Sequence, residues 1–407
     1  MKLVLVSKYP PIEGYVSSCT YWLARGLASR GHRVTVVTNA FEVEDRHREE
    51  LHGPDIDSYQ GRGVRVRNTD PFQDHQLIPE SNPFCEKLAS AAIEEAEGAQ
   101  VLDAWYLISY GAAAALAKLA TGLPLVLRHA ASDLVRLGSS PHLRPLVAAL
   151  LGTADAVVAQ PGARPRLEAL GAAPSRIHEI PLSVDTSAFS PRARPERLDV
   201  PEGVPLLLYA GKLTRGKGVP ELLAAAAKIP EEFRLLIVSS DAAGLRALRI
   251  PRRLRPRVIT RRFVPPWRMP GLIRAARCVV MPEHRFPVRT HTPILAREVL
   301  ACGTCLIVSD ELAAKVAGGR LVDGESAAVV RPGDTEGFAR RLRELVRDEG
   351  LARRIGSGGL KLSRSIEDFP GHIRATERLY RDLRADTRAQ RAPRHSSGGR
   401  RPFRRTV

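Results

Sequence analysis

Short apolar runs alternate with helix-period segments along almost the whole chain, in two series separated by a break. The first series opens with LVLVS, a loop KYPPIEGYV, a helical pattern from about Ser18 to Arg30, and the run RVTVVT. Such runs lack polar alternation, which marks strands buried on both faces, as in parallel sheets. A helix between two of them makes a right-handed crossover. Ser17 or Ser18 can cap the first helix and Gly31 can end it. The pattern continues through AQVLDAWYL, a helix over 110–120, LPLVLRHA, a helix around 143–151, and ADAVVA.

Residues 184–204 carry Pro and charge without periodicity, as a linker does. A second series follows: LLLYAG, helix 220–228, FRLLIVS, RVITRRFV, helix 269–276, CVVMP, helix 293–301 and CLIVSD. The 407 residues exceed one ordinary core and suit two domains. The expectation is an α/β chain of two doubly wound parallel-sheet domains facing a cleft. It divides into 1–183, the linker 184–204, 205–366, a C-terminal helix 367–385, and a basic disordered tail 386–407. Residues 335–348 and 367–384 read as amphipathic helices.

Several function classes drop out. No stretch is long and apolar enough for a membrane span, and the N-terminus runs straight into a Pro-Pro loop without the pattern of a signal peptide, so a cytoplasmic protein is expected. Five scattered cysteines fit reduced thiols, and Cys302 and Cys305 precede a strand rather than follow one, against a redox pair. The net charge is +18, but residues 381–407 hold nine Arg against two Asp. With no zinc-finger spacing and no aromatic-basic sheet motif, specific nucleic-acid binding is not expected, and weak peripheral contact with acidic lipid stays open.

In open parallel sheets, ligands bind beyond the carboxyl ends of the strands. Three loops there carry chemistry. GKLTRGKG, 211–218, places Lys212 and Lys217 where two ammonium groups can neutralise a diphosphate. It nearly matches a P-loop, but Gly218 stands where Ser or Thr holds magnesium, and no clear acidic partner ends a neighbouring strand. THTPILAREVLACG, 290–303, offers Thr292 as N-cap and Pro293 as first helical residue, leaving the amides of Ile294 and Leu295 to face an anion. Glu298 on that helix can accept from ribose hydroxyls or be a solvated carboxylate. RHAASDL, 128–134, presents His129 to the cleft, with Asp133 read as a cap for the next helix. Gly14, after the first strand, can let backbone amides approach phosphate. The second strand ends in TNA with no ribose-binding carboxylate, which argues against a nicotinamide dehydrogenase.

Together, GLASRGHRVTVVT, RHAASD, ADAVVAQPGARPRLEALG, IPLSVDTSAFSP, YAGKLTRGKGVPELLAAAAKIP, REVLACGTCLIVSD and VVRPGDTEGFARRLRELVRD resemble, in order and spacing, the retaining glycosyltransferases of family 4. The resemblance runs to about residue 385. It implies the GT-B fold of two Rossmann-like domains, transfer of a sugar from a nucleotide diphosphate donor (UDP- or GDP-linked) to a hydroxyl acceptor, and no cofactor or metal. The acceptor is a small molecule or an envelope glycan or lipid. It also implies that Lys212 and Lys217 bind the donor diphosphate, that Glu298 falls at the second glutamate of the Glu, seven residues, Glu motif, that His129 contacts the transferred sugar, and that Phe263 and Val264 line the nucleobase. Departures are Thr290 at the first glutamate, Ser183 for glycine, Ser239 and Ser240 for a glycine-containing turn, and Cys305 for proline. Two alternatives stay open: a P-loop-like triphosphatase using 211–218, and a non-catalytic nucleotide-sugar-binding relative.

Overall fold

The computed structural model describes residues 1–40, 42, 51, 54–69, 83–286 and 293–391. The first domain has strands β1 (Lys2–Ser7), β2 (Arg33–Thr38), β3 (Val64–Asn68), β4 (Val101–Trp105), β5 (Leu125–Arg128), β6 (Ala156–Ala159) and β7 (Ile177–Glu179), with helices α1 (Tyr15–Ser29), α2 (Pro54–Gln60), α3 (Phe84–Glu94), α4 (Ala112–Thr121), α5 (Arg144–Thr153) and α6 (Arg164–Ala169). The second has strands β8 (Leu206–Ala210), β9 (Arg234–Val238), β10 (Val258–Arg261), β11 (Cys278–Met281), β12 (Cys305–Ser309) and β13 (Ala328–Val330). Its helices are α7 (Val219–Ala226), α8 (Ala242–Ala247), α9 (Met269–Ala275), α10 (Ile294–Cys302), α11 (Asp310–Ala313), α12 (Thr335–Arg347) and α13 (Glu349–Ile366), and α14 (Phe369–Arg391) closes the described chain.

The sheets run β3-β2-β1-β4-β5-β6-β7 and β10-β9-β8-β11-β12-β13, with parallel pairings throughout. Each is the doubly wound sheet expected, with apolar clusters covering both faces. Strand order reverses between β1 and β4 in one sheet and between β8 and β11 in the other, so the switch points follow the pivot strands β1 and β8.

The structure corrects several local expectations. Helix α1 starts at Tyr15, with Gly14 at φ 109° as its N-cap; Ser17 and Ser18 lie inside the helix and cap nothing. Helix α13 fills 349–366, between the two terminal helices expected. Its Gly356, Gly358 and Gly359 let the helix backbone touch its neighbours. A Cβ would stand 2.4 Å from the Gly303 carbonyl at Gly356 and 2.0 Å from the Glu325 carbonyl at Gly358. Helix α14 runs to Arg391, so 386–391 are helical rather than tail; 392–407 lie outside the described residues. The close cysteines are Cys278 and Cys305, partners in register across β11 and β12, rather than Cys302 and Cys305, and all are free thiols.

Helix α14 returns to complete the first domain. Glu377 pairs with Arg30 at 2.7 Å and His32 at 3.1 Å. Tyr380 donates its hydroxyl to Asp103 at 2.6 Å, and the same carboxylate takes Arg128 Nε at 2.9 Å, all fully buried. The chain therefore crosses between domains twice, near 183 and near 367.

Candidate active site

The loop after the pivot strand β8 is pinned where Tyr209 donates its hydroxyl to the Lys212 carbonyl at 2.6 Å, with the Lys212 side chain exposed. Arg215–Lys217 then form a single 3-10 turn ending at Gly218, φ 70°. A Cβ at Gly218 would stand 2.0 Å from the Pro282 carbonyl, so steric exclusion explains the missing hydroxyl there. The loop is a turn packed on the strand-end backbone rather than a phosphate cradle, which removes the structural basis of the P-loop reading.

Lys217 is partly buried, forms an ion pair with Glu283, and sits over the Phe286 ring at 4.2 Å. Glu283, 2% exposed, lies two residues beyond β11, so an acid does follow the neighbouring strand. The sequence signal was available in CVVMPE, a carboxylate just past a buried strand. The Ser309 hydroxyl donates to the Glu283 carbonyl and fixes that turn. Burial lowers the Lys217 pKa, Glu283 opposes this, and Lys212 and Lys315 add to it.

Helix α10 begins beyond β11. Pro293 is its N-cap, one residue later than the expected Thr292, so the amides of Ile294 and Leu295 are the first of the helix. Thr290 and Thr292 lie outside the described residues. Glu298 is not a solvated carboxylate: it is 5% exposed, and burial pushes its pKa up to about 8, with Arg297 opposing and Glu367 adding. It lines a small cavity of about 20 Å³ between the domains, together with Ser18, Cys19, Leu182, Asp185 and His372. Phe263 is half-buried in the loop after β10, whereas Val264 is buried in the apolar cluster that includes residues of β8 and β9. At that edge Trp267 donates to Asp55 of α2 at 2.6 Å.

In the first domain His129 follows β5 and is 4% exposed. Its Nε2 accepts from the Gln160 amide at 3.3 Å, its carbonyl accepts from Trp105 Nε1 at 3.1 Å, and Nδ1 has no hydrogen-bond partner among the described residues. Burial lowers its pKa to about 4, so the ring is neutral. Asp133 does not cap the next helix. It accepts from the Ala130 amide at 2.8 Å and the Leu107 amide at 3.3 Å, tying the loop after β5 to that after β4, and burial raises its pKa to about 6.

Three residues that sequence reasoning passed over, Lys8, Arg297 and Glu367, complete the picture. Lys8 follows the pivot strand β1, with its ammonium 5.4 Å from the Tyr106 ring. Burial and then Lys212, from the other domain, lower its pKa. At the hinge, Arg297 binds Glu367 at 2.7 and 2.6 Å and the Leu182 carbonyl at 2.9 Å, while Glu367 also accepts from Ser183 Oγ at 2.9 Å and the Val184 amide at 2.8 Å. Both interdomain crossings thus meet at one buried carboxylate. Ser183, in place of glycine, supplies a hydroxyl to it.

Among the described residues no group of three His, Cys, Asp or Glu could hold a metal ion, and no helix is long and apolar enough to cross a membrane.

Residues 192–362 match the family described as glycosyl transferases group 1, and residues 16–183 a glycosyl transferase 4-like domain. The chain is 29% identical over 375 residues to the D-inositol 3-phosphate glycosyltransferase of Xylanimonas cellulosilytica, covering 84% of this chain and 85% of that one. It is also 29% identical to the alpha-maltose-1-phosphate synthase of Mycolicibacterium smegmatis, covering 72% and 81%. Among solved structures it is similar to the sucrose-phosphate synthase of Thermosynechococcus elongatus, with TM-score 0.67, 19% identity, and coverage of 95% and 99%. It is likewise similar to Anabaena HepE in complex with UDP and glucose, with TM-score 0.65, 14% identity, and coverage of 94% and 100%.

Proposed function

This chain belongs to the family 4 glycosyltransferases, and from that premise we propose that it moves a hexosyl or N-acetylhexosaminyl group from a UDP- or GDP-linked donor to a small polar hydroxyl acceptor, with retention and without a metal. One observation carries the reading. The loop bearing Lys212 and Lys217 follows β8, and Glu283, which pairs with Lys217, follows β11, the strand beside β8 at the switch point of the second sheet. Ammonium groups and free helix amides so placed favour a diphosphate, most of all as it leaves and gains charge.

In this reaction the bond from the anomeric carbon to the diphosphate oxygen breaks through an oxocarbenium-like state. The acceptor oxygen bonds the same carbon from the same face, and its proton passes to the departing phosphate oxygen. Lys212 and Lys217 stabilise that oxygen. In this reading neutral His129, whose buried Nδ1 has no hydrogen-bond partner among the described residues, contacts a sugar hydroxyl once the donor is bound. A carboxyl with a pKa near 8, as Glu298 has, is protonated at neutral pH and can donate to as well as accept from a ribose hydroxyl.

The acceptor class rests on kinship. Relatives are named for inositol 3-phosphate and maltose-1-phosphate, which fits a soluble acceptor and a cytoplasmic site of action. The test is incubation with UDP-glucose, UDP-N-acetylglucosamine and GDP-mannose against phosphorylated polyols and sugars, following nucleotide release and product configuration. An axial-linked product is expected from one donor. Binding of a donor with neither transfer nor slow hydrolysis would instead identify a non-catalytic relative.

A further inference from the structure

We propose that the second domain carries a further ligand site at the end of its sheet remote from the donor loops, where the loop 320–326 and helix α13 form a basic pocket for a small phosphate-bearing molecule. The pocket shares no residue with the donor loops, so the two sites can be tested apart.

In a parallel sheet the loops that follow the strands, here 211–218 after β8 and 282–286 after β11, stand on one side. Loop 320–326 instead leads into the amino end of β13, which pairs in parallel with β12, so it stands on the other. Glycine brings helix α13 against this loop. A Cβ at Gly358 would stand 2.0 Å from the Glu325 carbonyl, and one at Gly359 2.9 Å from the Ser326 carbonyl. The loop is itself a fixed turn: the Val322 carbonyl accepts from the amides of Ser326 at 3.0 Å and Glu325 at 3.2 Å, and the Val322 amide donates to Ser326 Oγ at 2.9 Å.

These two backbones border a cavity of about 670 Å³, within the size range of small-molecule sites. Arg320, Arg353, Arg354 and Lys361 line it against one carboxylate, Glu325. Arg354 and Lys361 stand one turn to either side of Gly358, so both lie on the helix face that meets the loop. Val322, 51% exposed, and the half-buried Leu362 add an apolar wall. Among the described residues Arg353 pairs with Glu349, while Arg320, Arg354 and Lys361 make no ion pair. The other acid of the loop, Asp323, is taken by Arg341 at 2.7 Å and the Val329 amide at 2.8 Å.

A concave site lined by one sign of charge focuses its field and draws in a counter-ion. The unpaired cations outnumber the lone carboxylate by two, which complements a phosphate monoester of charge about −2 at neutral pH. Guanidinium forks and an ammonium bind phosphate oxygens through charge-assisted hydrogen bonds, and the organic part of the ligand meets Val322 and Leu362.

The test is hydrogen exchange on the full chain with inorganic phosphate or glucose 1-phosphate as probe, alongside calorimetry. Both probes should slow exchange in 320–327 and 353–362, the sugar phosphate binding more tightly. Arg354→Ser with Lys361→Ser should weaken binding there by on the order of ten-fold or more, whereas Arg354→Lys with Lys361→Arg should keep most of it. Lys217→Met, in the donor loop, should leave that protection in place. Both pairs of changes fall on exposed side chains, so melting temperatures within a few degrees of the parent are expected. Protection absent from 320–327, confined to 211–218 and 294–298, or unchanged in the Ser variant would overturn the site. So would co-sedimentation with acidic phospholipid vesicles that is lost in the Ser variant while neither soluble probe protects the loop, which would assign the pocket to a membrane surface.

Discussion

The two ends of the interdomain boundary are built on opposite electrostatic plans. At the hinge, Arg297 and Glu367 form a bidentate pair, and Glu367 gathers Ser183 and Val184 from the other crossing. At the mouth, the Lys8 ammonium of the first domain has its pKa lowered by burial and then by Lys212 of the second, with Glu13 opposing more weakly. A buried charge matched by its partners stabilises one geometry, whereas like charges do not. The difference teaches which end is fixed: the hinge is clasped by matched charges, whereas the mouth carries like charges from both domains.

The largest effect is expected where the hinge is broken. Glu367→Ala leaves the partly buried Arg297 without its carboxylate and strips two further donors of their acceptor, so urea unfolding should report a loss of about 2–4 kcal/mol. Near-parent stability would mean that the clasp does not hold the crossings. At the mouth, Lys217→Met should lower kcat/KM by about 10²–10³-fold, the scale of losing one preorganised charge on the leaving group. That change also strands Glu283, so Lys217→Met with Glu283→Gln should recover melting temperature but not activity. Recovery of both would make the pair purely structural.

Glu298 sharpens the comparison through pH. Its folded pKa, about 8, is raised above the ordinary 4.5 by burial. The stability carried by the protonated carboxyl is therefore fully present below about 4.5 and lost as pH rises toward 8. Glu298→Gln does not titrate, so its melting temperature should gain on the parent's steadily across that window. A constant difference would place Glu298 in water. The smallest effect is expected for Tyr209→Phe, which removes the hydroxyl tethering the Lys212 carbonyl. One hydrogen bond, about 1 kcal/mol, predicts a donor KM raised about five-fold with kcat nearly unchanged.

What the sequence made legible follows burial. Strands such as LVLVS and CLIVS are buried on both faces, and an unbroken apolar run is their direct signature. The edge strand β3, VRVRN, faces solvent along part of its length and lacks that run, so it went unread. Helix α13 was hidden by glycines whose purpose lies in backbone contacts with Gly303 and Glu325. Lys212 and Lys217 stood out because they flank a turn after a strand. Glu283 and Lys8 did not: one acts through a lysine 66 residues away, the other through a domain the chain reaches only after the linker. Long-range charge pairing leaves no periodicity to find.

The central claim is that the cleft holds the diphosphate of a nucleotide sugar on lysines and helix amides. A thermal-shift titration with UDP, GDP, ADP, CDP and ATP, each with and without magnesium, tests it most directly, because a ligand bound only by the folded state raises the melting temperature. A rise with UDP or GDP that is the same without magnesium is the result expected. Stabilisation by ATP alone, and only with magnesium, would contradict it.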